Sequence, residues 1–346
     1  MRRLLITILL AVFIAIPVEA NGFTPPEAPH NVQKLMPDKT DDFGEGLLYI
    51  LTEAMKEFHP SFVDAIKTCI SIMAVSLLAG MLSGLSENTA PVIAITGTVT
   101  IGVILFQPVS VFIRLGTQTL QQISQYGKLL LPVLTGSLAA QGAVSKSGAI
   151  YTATVFFDTL LSSVITNVLI PIMYIYLCLS VVSRVFTQPL LEQIKNFLRW
   201  LMTWTLKTIL YVFTGYISIT GVVGGTTDAA MLKATKLTIS GVVPVVGNII
   251  SDASEAVLVS AGIMKNAAGI YGLLAILAIW IGPFIKTGVQ YLLLKFTSGI
   301  CEMFSVKSMS NIIKDFSTAM GLVLAMTGTE CMLLLISTIC FIKGVV

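Results

Sequence analysis

Between residues 236 and 296 the chain is apolar almost throughout, yet it does not read as one uninterrupted helix, for it opens KLTISGVVPVVGNIISD and closes IGPFIKTGVQYLLLKF. Gly241, Pro244 and Gly247 fall close together there. Glycine loses the most backbone entropy on ordering, and an interior proline removes a hydrogen bond and crowds the carbonyl four residues back. In contact with acyl chains, each backbone group left unpaired would cost several kcal/mol. The stretch therefore predicts helices broken at Pro244, Gly247 and Pro283, sheltered among neighbouring helices or lining a polar cavity.

An echo lies upstream, where KLLLPVLTGSLAAQGAVSKSGAI leads into a long apolar run and then VLIPIMYIY. Pro132 and Pro171 are 39 positions apart, as are Pro244 and Pro283, and a shift of 112 also superposes Val133 on Val245, Ala149 on Ala261 and Leu161 on Leu273. Each copy is followed by Ile-Lys-Asn-Phe (194–197) or Ile-Lys-Asp-Phe (313–316) and a closing apolar span. Two readings stay open: an internal duplication of 128–224 in 240–342, or low-complexity apolar sequence matching itself.

Of the 346 residues, 55% are hydrophobic and only 11% charged, against roughly 25% charged in soluble domains. The expected fold is an all-α polytopic membrane protein with seven or eight membrane segments. These fall near 66–85, 91–113, 129–145 (weak, with a re-entrant reading), 149–185 (too long for one span), 200–224, 241–263 (weak), 267–296 and 317–342. A net charge of +3, from dispersed basic residues, gives no footprint for nucleic acid, and the partner that composition implies is the lipid bilayer.

Arg2 and Arg3, the apolar run 4–16 and the small-residue pattern ending at Ala20 have the layout of a cleavable signal peptide over 1–20. Thirteen apolar residues are few for a span, which needs about 20. A short extracytoplasmic segment, 21–65, follows: 21–42 reads as extended or disordered, and 46–58 as an amphipathic helix ending before Pro60. The membrane domain is then 66–346. Arg184, Lys195, Arg199 and Lys207 place the connection between the fourth and fifth segments on the cytoplasmic side. Within it, 188–200 puts Leu190, Leu191, Ile194, Phe197 and Leu198 opposite Glu192, Lys195, Asn196 and Arg199. This predicts an interfacial helix in the headgroup plane, with 302–316 as its counterpart.

No nucleophile elbow, phosphate loop or zinc-binding His pair is present, and His30 and His59 both lie in the soluble segment. The five cysteines have no metal-ligand or paired spacing. No enzyme, metal or cofactor is expected. Charges within apolar stretches are the better functional clue, because each is costly unless it meets protein or water. They are Asp158, Lys207, Asp252, Glu255, Lys265, Lys286, Lys295 and Glu330; Asp158 has no evident acidic mate in a neighbouring span. Asp252, Glu255 and Lys286 could line a polar vestibule between two proline-broken units. Alternatively Asp252 is a helix cap and the lysines snorkel to the interface. The Gly-x-x-x-Gly pairs Gly80 with Gly84 and Gly221 with Gly225 predict close helix packing.

The run KATKLTISGVVPVVGNIISDASEAVL (233–258), with IMKNAAGIYGLL (263–274) and GPFIKTGVQYLLLK (282–295), resembles the stage III sporulation protein AE family of endospore-forming bacteria. The similarity extends to the signal sequence, LLLPVLTGSLAAQG and the closing span. The resemblance implies a multi-pass protein of the mother-cell membrane surrounding the forespore, acting as a non-enzymatic subunit of a channel or secretion-like complex needed for late forespore gene expression. Implied partners are the other stage III sporulation A-operon membrane proteins, including the operon ATPase, and indirectly a forespore-side channel protein. The competing reading is a self-sufficient secondary transporter with a midplane site between two broken-helix repeats.

Overall fold

The computed structural model describes residues 26–37, 43–85, 88–140, 144–186, 188–219, 267–304 and 307–343. Among them there is no strand. The helices are α1 (Phe43–Ser83), α2 (Ala90–Ala140), α3 (Val144–Val164), α4 (Ile170–Val185), α5 (Pro189–Ile219), α6 (Ala267–Phe304) and α7 (Lys307–Lys343), with a π-helical turn, Ile165–Leu169, between α3 and α4. Runs of Leu, Ile, Val, Ala and Met with few helix breakers account for such lengths, because in an apolar setting every backbone group must be paired within its own helix.

Contacts between the helices fix their directions. Gly97, Gly116 and Gly127 of α2 meet Met309, Val323 and Leu334 of α7, so these two run parallel. Ser298 bonds Ser310 and Ser317 donates to the Tyr291 carbonyl, so α6 runs against α7. Thr154 pairs with Ser337 and Tyr176 with Asp315, so α3 and α4 also run against α7. Helices α6 and α7 form the centre, and nearly every residue of 272–281 and most of 309–342 are buried.

Among the described residues five stretches are long and apolar enough to cross a membrane: Phe62–Ser83, Ala90–Ser137, Ser147–Val185, Gly269–Met303 and Lys307–Ile342. This confirms an all-helical polytopic membrane protein, with five such stretches among the described residues against the seven or eight segments expected. The expected segment 91–113 and the 129–140 part of 129–145 prove to be one helix, α2, and 144–145 open α3. The segment 241–263 lies outside the described residues, as do 1–25.

Prolines mark fewer breaks than the sequence suggested. Pro108 and Pro132 sit inside α2, and Pro283 inside α6. Pro132 is exposed and Pro108 and Pro283 are half-buried; local side-chain bonds, such as Thr135 Oγ1 to the Leu131 carbonyl at 2.6 Å, accompany the continuous backbone helix there. Pro171 is different, because the π-helical turn immediately precedes it. The proline ring crowds the carbonyl of Asn167, four residues back, and the wider turn relieves that clash. Pro244 and Gly247 lie outside the described residues.

Three further expectations are corrected. Residues 26–37 are not an extended tail: Ala28, Val32, Leu35 and Met36 are buried, and the Tyr126 hydroxyl donates to the Pro26 carbonyl. Helix α1 does not end before Pro60 but continues to Ser83. On its exposed part outside the spans, hydrogen bonding and charge from Glu53 raise the Lys56 ammonium above its ordinary range. Finally, 188–200 and 302–316 are not separate interfacial helices: 189–200 are the first turns of α5, 302–304 end α6, and 307–316 are the first turns of α7. Their apolar faces differ in fate. Leu190, Ile194, Phe197, Trp200 and Trp204 of α5 are exposed, whereas Met309, Ile312, Ile313 and Phe316 of α7 are core.

Candidate functional site

At the sequence level 194–197 and 313–316 look like two copies of one motif, and the fold brings them face to face. Lys195 sits on the side of α5 opposite its exposed aromatic face, so the ammonium is driven inward, and the residue is 1% exposed. There Lys195 Nζ reaches Asp315 Oδ2 of α7 at 2.7 Å and Glu192 Oε1 at 2.9 Å. Arg184, in the last turn of α4, approaches the same Asp315 oxygen at 3.1 Å and Glu192 Oε2 at 3.4 Å. Two cations and two carboxylates thus balance across the junction of α4, α5 and α7, and the Tyr176 hydroxyl adds a bond to the Asp315 carbonyl at 3.4 Å. A buried ion pair pays a desolvation cost that only good geometry offsets, so this cluster fixes how three helices meet rather than simply adding stability.

Helices α2, α3 and α7 bring a second group of charges together. Asp158 and Glu330 lie side by side, 1% and 0% exposed. Ser124 Oγ donates to Asp158 Oδ2 at 2.8 Å. Asp158 Oδ1 and both Glu330 oxygens have no hydrogen-bond partner among the described residues. This supplies the acidic mate that the sequence did not reveal for Asp158. The two are 330 − 158 = 172 positions apart, and no local spacing could have joined them.

A third feature is a polar stripe on α2. Arg114, Gln118, Gln121, Gln125 and Lys128 are all exposed, and their spacing puts them on one helical face. Above them on the same helix the exposed large hydrophobic side chains are Val92, Ile95, Val99, Val103, Phe106 and Val111, with Gln107 exposed among them.

The sequence-predicted residues scatter. Lys286 is half-buried on α6, while Asp252 and Glu255 of the expected vestibule lie outside the described residues. Gly84 is exposed, in the turn after α1, and a methyl there would touch only local backbone; Gly80 is half-buried. Gly221 and Gly225 fall outside. Among the described residues the glycines that admit a neighbouring helix closely are Gly97, Gly102, Gly116 and Gly127 of α2, with Gly272 of α6 and Gly321 of α7. They were missed because their spacings do not form the four-residue pattern. Among the described residues no group of three or more His, Cys, Asp or Glu could hold a metal ion.

Comparison with known proteins gives a family match across residues 31–344, to the family described as Stage III sporulation protein AE. A curated relative, Stage III sporulation protein AE of Bacillus subtilis (strain 168), is 28% identical over 176 residues, covering 51% of this chain and 44% of that protein. The matched region thus spans less than half of the relative's length. No solved structure matches.

Proposed function

The chain belongs to the Stage III sporulation protein AE family, and from that premise we propose that it is a non-enzymatic integral membrane subunit of a complex linking mother cell and forespore. It is a sporulation-related membrane protein, matched to its family along almost all of its length, and that match is the observation carrying the proposal. In this reading it sits in the mother-cell membrane around the forespore and works with other membrane proteins of the same operon and an ATPase encoded there. It thereby supports late forespore gene expression through a channel or secretion-like apparatus. The composition of the bundle agrees with a role in assembly. Its best-defined polar group, Arg184–Glu192–Lys195–Asp315, joins helices and leaves little surface for a substrate.

A stand-alone transporter is the second reading, favoured by the carboxyl pair Asp158–Glu330 in the membrane core. One experiment separates them. A tagged chain at its native level in sporulating cells should co-purify with other sporulation membrane proteins, and its deletion should arrest forespore development. Purified alone into liposomes it should move no solute. Solute movement by the isolated chain, abolished by neutralising Glu330, would replace the complex-subunit reading with the transporter.

A further inference from the structure

Glu330 poses a problem of hydrogen-bond chemistry. An ionised carboxylate only accepts hydrogen bonds. Here two carboxyl groups face one another in the core, and three of their four oxygens have no donor among the described residues. The single donor, Ser124 Oγ, is committed to Asp158 Oδ2 at 2.8 Å. Among the described residues no cation is in the pocket: Lys128, one turn along α2 from Ser124, acts on the pair only through its field, and its side chain is exposed. On α7 the titratable neighbour is Cys331, a thiol with no positive charge to offer. Two adjacent negative charges with no counter-charge are not tolerated in a desolvated site.

We propose that Asp158 and Glu330 together form a proton-binding site, holding one proton taken up from water between the two carboxyl groups. The balance is simple: one O–H bond forms on one carboxyl, that group donates to the facing carboxylate, and the pair carries a single negative charge instead of two. Ser124 orients the Asp158 side by occupying its other oxygen. The π-helical turn Ile165–Leu169 begins two turns beyond Asp158 on the same continuous helix, and such turns are frequent at functional sites. Because Ser124 of α2, Asp158 of α3 and Glu330 of α7 meet at the pair, binding or losing the proton acts on the packing of α3 against α2 and α7. This holds whether or not the chain works within a sporulation complex.

The test is infrared difference spectroscopy of the full chain in nanodiscs, alongside thermal unfolding. The wild type should show a protonated-carboxyl C=O band that shifts in D2O. The isosteric double variant Asp158→Asn/Glu330→Gln should lose that band while melting within about 3 °C of the wild type, because an amide pair hydrogen-bonds without a proton. Ser124→Ala should shift the band without removing it. If the double variant fails to fold, each single variant should still alter the band. A band unchanged by all of these substitutions overturns the proposal. So does wild-type stabilisation by sodium over choline chloride that Glu330→Gln abolishes, because an alkali cation would then fill the site.

Discussion

Lys195 and Asp315 show how far a side chain's surroundings can depart from what local pattern suggests. Helical periodicity put Lys195 on the polar face of 188–200, which is right, but took polar to mean wet. Asn196 and Arg199 of that face are exposed but Lys195 is buried, and the aromatic face is exposed as well, where Trp200 and Trp204 stack with ring centroids 5.9 Å apart. The same misreading hid the mate of Asp158, because no periodicity reports a contact between distant helices. Asp315→Asn leaves Lys195, whose side chain is 2% exposed, with only the half-exposed Glu192 for company. The expected loss is about 3 kcal/mol, the penalty of an uncompensated buried charge. Glu192→Gln should cost about 1 kcal/mol or less, because that carboxylate is partly in water. Replacing both partners, Lys195→Met with Asp315→Leu, should recover most of the loss. Unfolding midpoints of the four proteins in detergent check this; equal losses in Asp315→Asn and Glu192→Gln would mean that the cluster is surface decoration.

Among the elements, helix content was legible because apolar composition leaves the backbone no other way to pair; the run 149–185, expected to be too long for one span, falls within a single apolar stretch, Ser147–Val185. Helix interruptions were not, because proline chemistry alone does not say whether neighbours will absorb its effect. Pro132 is exposed and Pro283 half-buried, yet both sit within unbroken helix, whereas Pro171 follows a π turn. Glycine spacing misled in a similar way: the contacts that matter on α2 are set by the partner helix, not by a motif within one strand of sequence. At Gly116 a methyl group would stand 2.6 Å from Val323 Cγ1, on a β-branched side chain with little rotamer freedom. At Gly97 it would meet Met309 Cε, the end of a flexible side chain. Gly116→Ala should therefore destabilise by about 1–3 kcal/mol through overpacking. Gly97→Ala should be near neutral, since Met309 swings aside and alanine favours the helix by up to about 1 kcal/mol. Thermal melts of the two variants side by side decide this, and equal shifts would show that α2 and α7 are not packed as tightly as the structure has them.

For the whole molecule the telling quantity is length. Helix α2 has 51 residues, about 75 Å at 1.5 Å per residue, against a hydrocarbon layer of about 30 Å. A tilt cannot absorb such an excess, so part of α2 must leave the acyl chains. Its surface indicates which part. From Val92 to Val111 the exposed large side chains are apolar except Gln107, a length close to one bilayer thickness, and from Arg114 to Lys128 the exposed face is Arg, Gln and Lys. The polar half faces water or a protein partner, as an Arg and Gln stripe against lipid would be costly. Sequence reading found the apolar half as 91–113 and then placed a connection where the helix in fact continues, because polar residues on one face of a long helix look like a loop when the other face is not known to be covered. Cysteines placed singly at Val99, Val103, Gln118, Gln121 and Gln125 in the chain expressed alone in membrane vesicles separate the two halves. A charged, membrane-impermeant maleimide should label positions 118, 121 and 125 and leave 99 and 103 untouched. In sporulating cells, protection of the three glutamine positions that is absent from the chain expressed alone would identify the stripe as a surface covered by a partner. Labelling at 103 as fast as at 121 would instead mean that α2 has no lipid-facing half, and that the bundle sits in the membrane in some other way.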